Sequence, residues 1–339
     1  MEAAATPRTG AALVRATKPF AIENRFRSWA ELLWAGSLYA VCLYIAATAA
    51  WYVRVPAVLV AGLIHIRLFI IYHDAMHGAV LKGSKLGNVV MWVIGLYTLS
   101  PPPVWRETHD YHHRNNCKLP GTSIGSFPLT TTRMWRRMSP SQKRAYKFAR
   151  HPVTILFAYL TLFVFAMSIG SFIRRPKQHW TSLAALVLHV VTAIAVGMLV
   201  SWSAALCAVV LPVAIAHTLG GYLFYAQHNF PSMQVEKRHE WSYHRAALES
   251  SSMFDMPRLL HWFTGNIGYH HVHHLNHKIP FYRLPDAMAA LPELQAPGRT
   301  SWHPRDVAAC LALKLWDPST GKMVGWPAPR PEKRATQQA

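Results

Sequence analysis

Six long apolar blocks limit what this 339-residue chain can fold into more than any other feature of its sequence. They cover residues 32–53, 57–72, 86–104, 153–173, 183–200 and 204–226. A soluble domain mixes apolar and polar positions at the period of a helix or a strand, whereas apolar blocks of about twenty residues are typical of transmembrane helices. The sequence therefore predicts an all-α integral membrane fold.

Positive charge indicates which blocks cross the bilayer. The chain has 35 Lys and Arg against 15 Asp and Glu, a net charge of +20, and such residues concentrate in cytoplasmic loops. Basic residues stand at both ends of the block at 153–173, and histidine clusters flank the block at 86–104. We therefore expect four transmembrane helices from the first, second, fifth and sixth blocks, two re-entrant or interfacial helices from the others, and a cytoplasmic helical cap.

The chain is expected to divide into three parts. Residues 1–31 are a cytoplasmic N-terminal segment, residues 32–315 a membrane domain with its cap, and residues 316–339 a Pro-rich, loosely ordered tail. The first twenty residues lack the apolar core of a signal peptide. No nucleic-acid-binding motif appears, so the basic charge favours contact with membrane lipid over nucleic acid. The four isolated cysteines predict neither a disulfide framework nor a zinc site.

Histidines form three clusters at helical spacing. The sequence has HDAMH at 73–77, HDYHH at 109–113 and HHVHH at 270–274. Separations of three and four residues place side chains on one helix face. A single histidine is more often a core or surface residue than a ligand, but three such clusters beside apolar blocks predict a metal site. Its candidate catalytic and metal-binding residues are His73, His77, His109, His112, His113, His270, His273 and His274.

Eight imidazoles exceed what one ion needs, because a catalytic zinc takes three protein ligands and a mononuclear non-haem iron takes two histidines and a carboxylate. The set divides naturally between two ions. Iron suits it best, since zinc cannot change its oxidation state. The first cluster has the spacing of the zinc-peptidase motif HExxH, but that chemistry needs a glutamate base where this chain has Asp74. A peptidase would also leave two clusters without a role.

Other polar residues near the clusters are candidates for supporting roles. Asp74 and Asp110 each follow a cluster histidine and can fix the tautomer of a ligand ring, or they simply face solvent or a basic neighbour. Asn266, shortly before the third cluster, is a third candidate for cofactor binding. We expect His271 and His277 to support the ligands or lie at the surface. Three histidines inside apolar blocks are expected to be neutral and hydrogen-bonded across helices: His65, His189 and His217.

The order HxxxH, HxxHH, HxxHH, with apolar spans before the first cluster and between the second and third, resembles the membrane fatty acid desaturase superfamily. The run WFTGNIGYHHVHHLNHKIPFYRLP at 262–285 is similar to the third-box region of its bacterial Δ12 or omega-6-like branch, as is YAQHNF at 225–230. The resemblance covers roughly residues 55–290. Asp74 departs from the pattern, since many members have glutamate there.

The resemblance implies an oxygen-dependent fatty acyl desaturase whose eight cluster histidines hold two iron ions, with molecular oxygen as co-substrate. His228, which directly follows the last apolar block, is then expected to be a ninth ligand. A fatty acyl substrate, linked to lipid, CoA or a carrier, and an external electron donor such as a ferredoxin or a cytochrome are also implied. The location would be a bacterial inner membrane, with the active site and both termini on the cytoplasmic side.

Two alternatives stay open at this point. A hydroxylase or ketolase of the same superfamily, acting on an alkane or a carotenoid, would share the metal site and differ in how its substrate is held. A non-catalytic metal-binding membrane protein or a transporter would be expected to place its ligands near the bilayer midplane. The histidine clusters instead lie at the ends of the apolar blocks and in the loops.

Overall fold

The computed structural model describes residues 7–119 and 124–327, and it is mainly helical. Its α-helices are α1 (Gly10–Ala16), α2 (Arg25–Thr48), α3 (Trp51–His77), α4 (Lys85–Tyr97), α5 (Pro102–Arg114), α6 (Thr132–Arg137), α7 (Pro140–Ala149), α8 (Pro152–Leu156), α9 (Ser171–Arg174), α10 (Trp180–Leu199), α11 (Trp202–Ala204), α12 (Leu211–Gln227), α13 (Tyr243–Glu249), α14 (Arg258–Phe263), α15 (His270–Leu275), α16 (Leu284–Ala290) and α17 (Pro304–Ala312). π-helical segments at Tyr159–Gly170 and Ala205–Val210 lead into α9 and α12.

Short strands pair in three places. Strands β1 (Lys118–Leu119) and β2 (Glu236–Lys237) are parallel, as are β3 (Met253–Asp255) and β4 (Arg299–Ser301). Strands β5 (Leu315–Asp317) and β6 (Lys322–Val324) form an antiparallel hairpin. Brief 3-10 turns occur at Lys18–Phe20, Phe281–Arg283 and Pro292–Leu294. These small elements join distant parts of the chain at the histidine-rich end of the long helices, a region called the cap below.

Among the described residues, four helices are long and apolar enough to cross a membrane: α2, α3, α10 and the continuous helix Trp202–Gln227. They correspond to the four blocks predicted to span. The boundaries differ from the apolar blocks, because α2 begins at Arg25 and the break between the first two helices falls at Ala49–Ala50. Pro56, expected in that break, lies inside α3. Pro56 lies in the second turn of α3, where it provides no N–H for the Tyr52 carbonyl four residues before it.

Helix α4 runs back along α3 and does not reach its far end. It has 13 residues and is therefore about 20 Å long. At its end the Tyr97 hydroxyl is 2.8 Å from that of Tyr39, and its ring packs against His65, three helical turns from His77. The chain then turns, and α5 returns to the level of His77. This is the geometry expected of a re-entrant hairpin.

The tip of this hairpin satisfies its backbone through side chains of the long helices. The carbonyl of Thr98 accepts a hydrogen bond from His217 Nε2 at 3.1 Å, and that of Ser100 accepts one from the Tyr72 hydroxyl at 2.6 Å. Irregular backbone at membrane depth is tolerated only where protein or trapped water satisfies it. His65 and His189 also bond across helices, to Tyr39 and Tyr159. The hydrogen bonds expected of the three intramembrane histidines are therefore present.

Both ends of the fourth apolar block lie close to the histidine clusters. Before the block, Arg150 donates to Asn229 Oδ1 at 2.5 Å, beside His228. After it, Arg175 forms an ion pair of 2.7 Å with Glu107, two residues before the second cluster. A segment with both ends at one level enters and leaves on the same face. That placement agrees with a re-entrant or interfacial helix.

Parts of both ends of the chain pack against the rest of the protein. Arg8 forms an ion pair with Glu293 at 2.8 Å, and Leu13 is buried in the cap. The tail was expected to be loose from residue 316, but Trp316 and Met323 are buried in the β5–β6 hairpin. Burial of these two apolar side chains orders this part of the tail. Residues 328–339 lie outside the described part of the chain.

Candidate metal centre

Three helices and one helix end present the candidate ligands. The first cluster occupies the last turns of α3, the second lies on α5 and the third forms most of α15, while His228 caps the C-terminus of α12. Helical spacing aims the side chains of each cluster in one direction. Because the four elements meet at the base of the cap, clusters far apart in sequence face one another. All eight cluster histidines and His228 come together there.

The nine side chains form two adjoining groups, within each of which the candidate ligand atoms lie within 4.8 Å of one another. The first group consists of His73, His77, His109, His113 and His273. The second group consists of His112, His228, His270 and His274. Helices α5 and α15 each contribute to both groups, because neighbouring positions on one helix face point toward different sides. Each of these helices therefore bridges two candidate metal positions.

Spacing between the ring nitrogens fits metal coordination. In the first group, His109 Nε2 is 3.1 Å from His73 Nε2 and 3.0 Å from His113 Nε2. In the second, His228 Nε2 is 3.1 Å from His112 Nε2 and 2.8 Å from His270 Nε2. Two nitrogens bound to one ion at about 2.1 Å and at right angles lie about 3.0 Å apart. A neutral imidazole has a single N–H, so these converging atoms cannot all bond one another.

Burial keeps the imidazoles of α5, α15 and His228 uncharged. It lowers the pKa of each histidine on α5 and α15 in the two groups well below the usual range, and the neighbouring imidazoles lower the pKa further. Burial lowers the pKa of His228 to about 4. Neutral imidazole is the form that binds a metal, because its free lone pair is available. The donor set is therefore ready for cations near neutral pH.

Two ligand rings are oriented by hydrogen bonds from the nitrogen that faces away from the centre. Asp74 Oδ1 accepts from His73 Nδ1 at 3.0 Å, and its Oδ2 accepts from the Phe281 backbone N–H at 2.6 Å. The Ser250 carbonyl accepts from His228 Nδ1 at 3.2 Å. Such bonds set the tautomer that leaves Nε2 free for a metal. Asp74 thus makes the contacts that a supporting role requires, and the role itself stays a prediction.

The other candidates lie outside both groups. Among the described residues, Asp110 makes no hydrogen bond to a ligand histidine. Asn266 donates to the Phe281 carbonyl at 3.1 Å, in the turn before the third cluster. His271 is fully buried and donates to the Leu294 carbonyl at 3.1 Å. The His277 ring packs 4.7 Å from that of His77, at the edge of the first group.

Aromatic residues around the centre were missed by the sequence reasoning. The Trp105 ring stacks on His109 at 4.2 Å and also packs against His73. Its position four residues before His109 on α5 is a signal that could have identified it. Phe224 packs 5.1 Å from His112 and 5.3 Å from His228. Phe224 likewise lies four residues before its histidine, His228, which caps the end of α12.

A small cavity of about 20 Å³, room for about one water molecule, lies beside the second group. His112 and His228 line it, and Phe127, Leu129 and Phe224 provide apolar surface. Polar residues, among them Asn116, Arg150 and Asn229, complete the lining. The cavity therefore joins apolar surface to the second group but is too small for a hydrocarbon chain.

Comparison with known proteins identifies the family. The family model for fatty acid desaturases matches residues 49–306. A fatty acid desaturase of Bacillus subtilis (strain 168) is 33% identical over 268 residues, covering 77% of this chain and 74% of the relative. An sn-1 oleoyl-lipid 12-desaturase of Picosynechococcus sp. is 23% identical, covering 79% and 77%. An sn-1 acyl-lipid omega-3 desaturase (ferredoxin) of Nostoc sp. is 24% identical, covering 81% and 76%. The chain therefore belongs to the fatty acid desaturase family.

Proposed function

We propose that this protein is an oxygen-dependent fatty acyl desaturase that binds two iron ions through the nine histidines of the two groups. The observation that carries the proposal is the pair of adjoining imidazole groups, each with its nitrogens at coordination spacing. Five ligands would hold one ion and four the other. Family membership supports the reaction class.

Iron fits this donor set and the reaction together. Imidazole binds iron, copper, nickel and zinc, but removal of hydrogen by oxygen requires a metal that changes oxidation state. Two irons would activate molecular oxygen for removal of two hydrogens from adjacent methylenes. The protein fixes the His73 and His228 rings through Asp74 and Ser250 and keeps the centre under the cap.

The substrate is proposed to be a long acyl chain whose reacting carbons lie beside the second group. The small cavity there must open to admit the chain, and Phe127, Leu129 and Phe224 supply apolar surface next to His112 and His228 against which methylenes can pack. Holding one C–H beside the metal sets the position of the double bond. Relatives named as acting on oleoyl-lipid and acyl-lipid favour a membrane lipid as the acyl carrier.

Product analysis tests this function against its nearest alternative. A bacterial host expressing the protein should accumulate acyl chains with one additional double bond, located by gas chromatography and mass spectrometry. The gently solubilised protein should contain about two irons per chain. Hydroxylated or keto products without new double bonds would favour a hydroxylase or ketolase. One zinc per chain and no iron would contradict the two-iron centre.

Membrane topology gives a further prediction. The metal centre and both ends of the fourth apolar block lie at one level, and we propose that this is the cytoplasmic face of a bacterial inner membrane. A reporter inserted after Lys177 should therefore read cytoplasmic, like one after Lys82, whereas one near Trp202 should read external. An external result at Lys177 would mean that the block at 153–173 crosses the bilayer.

A further inference from the structure

Two short helices of the cap carry a dense basic patch. Residues 131–150 contain no Asp or Glu. The basic patch is formed by Arg133, Arg136 and Arg137 of α6 with Lys143, Arg144 and Lys147 of α7, and all but the half-buried Lys143 are exposed. Within the described residues none of the six forms an ion pair with a carboxylate. Their charge is left for an external partner.

An aromatic cluster supports the patch from below. The rings of Trp135 and Tyr146 lie 5.7 Å apart, and that of Trp326 lies 5.1 Å from Trp135 and 6.0 Å from Tyr146. Lys143 and Lys147 sit over Trp135 and Trp326 at 5.7 and 5.9 Å. These contacts fix the two helices relative to each other. The patch is therefore a preformed surface.

A short series of hydrogen bonds connects the patch with the metal centre. The Tyr146 hydroxyl donates to the Lys314 carbonyl at 2.6 Å, and Lys314 Nζ donates to the Arg150 carbonyl at 2.7 Å. The Arg150 guanidinium donates to Asn229 Oδ1 at 2.5 Å, and Asn229 directly follows His228 of the second group. The patch and the second group are thus joined through directly bonded residues.

We propose that the basic patch is the docking surface for an acidic one-electron carrier protein that reduces the metal centre. This inference rests on the proposed function. Desaturation converts –CH2–CH2–, one O2, two protons and two electrons into –CH=CH– and two water molecules. Two reduced carriers each lose one electron per turnover. The sequence has no haem-binding or flavin fingerprint and no cysteine cluster for an iron–sulfur centre, so these electrons come from a partner.

The side-chain arrangement favours a protein partner over anionic lipid. An interfacial helix exposes an apolar face to the bilayer, but Trp135 and Tyr146 point into the cap and are buried. The exposed surface of α6 consists mainly of arginines. Phe148 is exposed near the end of α7, where the chain enters the apolar block through α8, so it marks the membrane side of the surface. The unpaired cations of the patch suit a carrier with complementary negative charge.

A charge-reversal variant tests the docking surface. Full-length, iron-loaded enzyme is placed in vesicles of neutral phosphatidylcholine, and an acidic [2Fe–2S] ferredoxin with its reductase is the electron source. In R133E/R136E/R137E the apparent KM for ferredoxin should rise about tenfold or more, because both attraction and steering are lost. The wild-type rate should fall steeply with added salt, and that of the variant should not.

Two controls separate docking from damage to the enzyme. Turnover of enzyme reduced chemically with dithionite should be unchanged in the variant, and so should its iron content. Arg305→Glu reverses an exposed cation outside the patch and should leave the KM for ferredoxin within about twofold, since it adds only a remote charge. If the triple variant folds poorly, Arg136→Gln with Arg137→Gln provides a milder change with the same expected direction.

The outcomes distinguish the docking inference from the proposed function. Direct titration of ferredoxin binding does not depend on any product, so it tests docking even if no desaturation is found. An unchanged affinity and salt dependence in the variants would overturn the inference. The rate can also be compared in vesicles that contain anionic phosphatidylglycerol. If this lipid raises the rate of the unmodified enzyme but not that of the variant, and ferredoxin affinity is unchanged, the patch binds lipid and the docking inference is overturned.

Discussion

Replacing His228 with alanine is expected to lower bound iron from about two ions per chain to about one and to reduce desaturation by ~100-fold or more. His228 Nε2 lies 2.8 Å from His270 Nε2 and 3.1 Å from His112 Nε2. Its removal leaves three imidazoles in the second group, while the first group keeps all five. Metal analysis and product formation by the solubilised variant measure the two effects.

His271 provides the matched control for this change. It is a buried histidine within the third cluster, but its Nε2 donates to the Leu294 carbonyl, and it belongs to neither group of candidate ligands. His271→Gln keeps a donor of similar reach, so iron content and activity should stay close to those of the unmodified protein. Two irons and full activity in His228→Ala would remove His228 from the proposed ligand set.

Replacing Asp74 with asparagine should reduce iron affinity or activity by ~10–100-fold, the usual effect of losing a residue that orients a metal ligand. Each carboxylate oxygen of Asp74 accepts one hydrogen bond, from His73 Nδ1 and from the Phe281 N–H. An amide can accept at only one of these positions and presents a donor at the other. Either the His73 tautomer or the Phe281 segment is then left without its partner.

Asp110→Asn is the corresponding control, because Asp110 also follows a ligand histidine directly but makes no hydrogen bond to one in the described part of the chain. Its activity should remain within about twofold, as expected for a partly exposed carboxylate away from the ligands. Titration of the iron-depleted enzyme with iron measures the iron affinity of both variants. Equal effects of the two substitutions would contradict an orienting role for Asp74.

The family and the main ligand candidates could be predicted from sequence because both depend on local periodicity. Apolar blocks of spanning length and histidines three or four residues apart are visible in a linear chain, since helix geometry alone determines which side chains share a face. The family match confirms the recognition of a fatty acid desaturase. The assignment of individual histidines to iron stays a prediction.

Supporting contacts could not be predicted in the same way. Asp74 and Asp110 occupy equivalent positions after a ligand histidine, yet only Asp74 meets both a ligand ring and the backbone of Phe281. Trp105 and Phe224 show helical spacing to a ligand, but an aromatic residue at that spacing is commonly part of an ordinary core. Which of them packs on the metal centre depends on the neighbouring helix.

The sequence by itself determined the helical membrane fold, the family and the clustering of the histidines, because these follow from composition and from spacing within single helices. Only the tertiary structure decided how the clusters divide into groups of five and four, since α5 and α15 each face both groups. It also decided that the β5–β6 hairpin is ordered by burial of Trp316, and that α6 and α7 form one surface connected to His228. Such contacts join residues as far apart in sequence as His73 and His273, and their distances depend on how whole helices pack rather than on any local pattern.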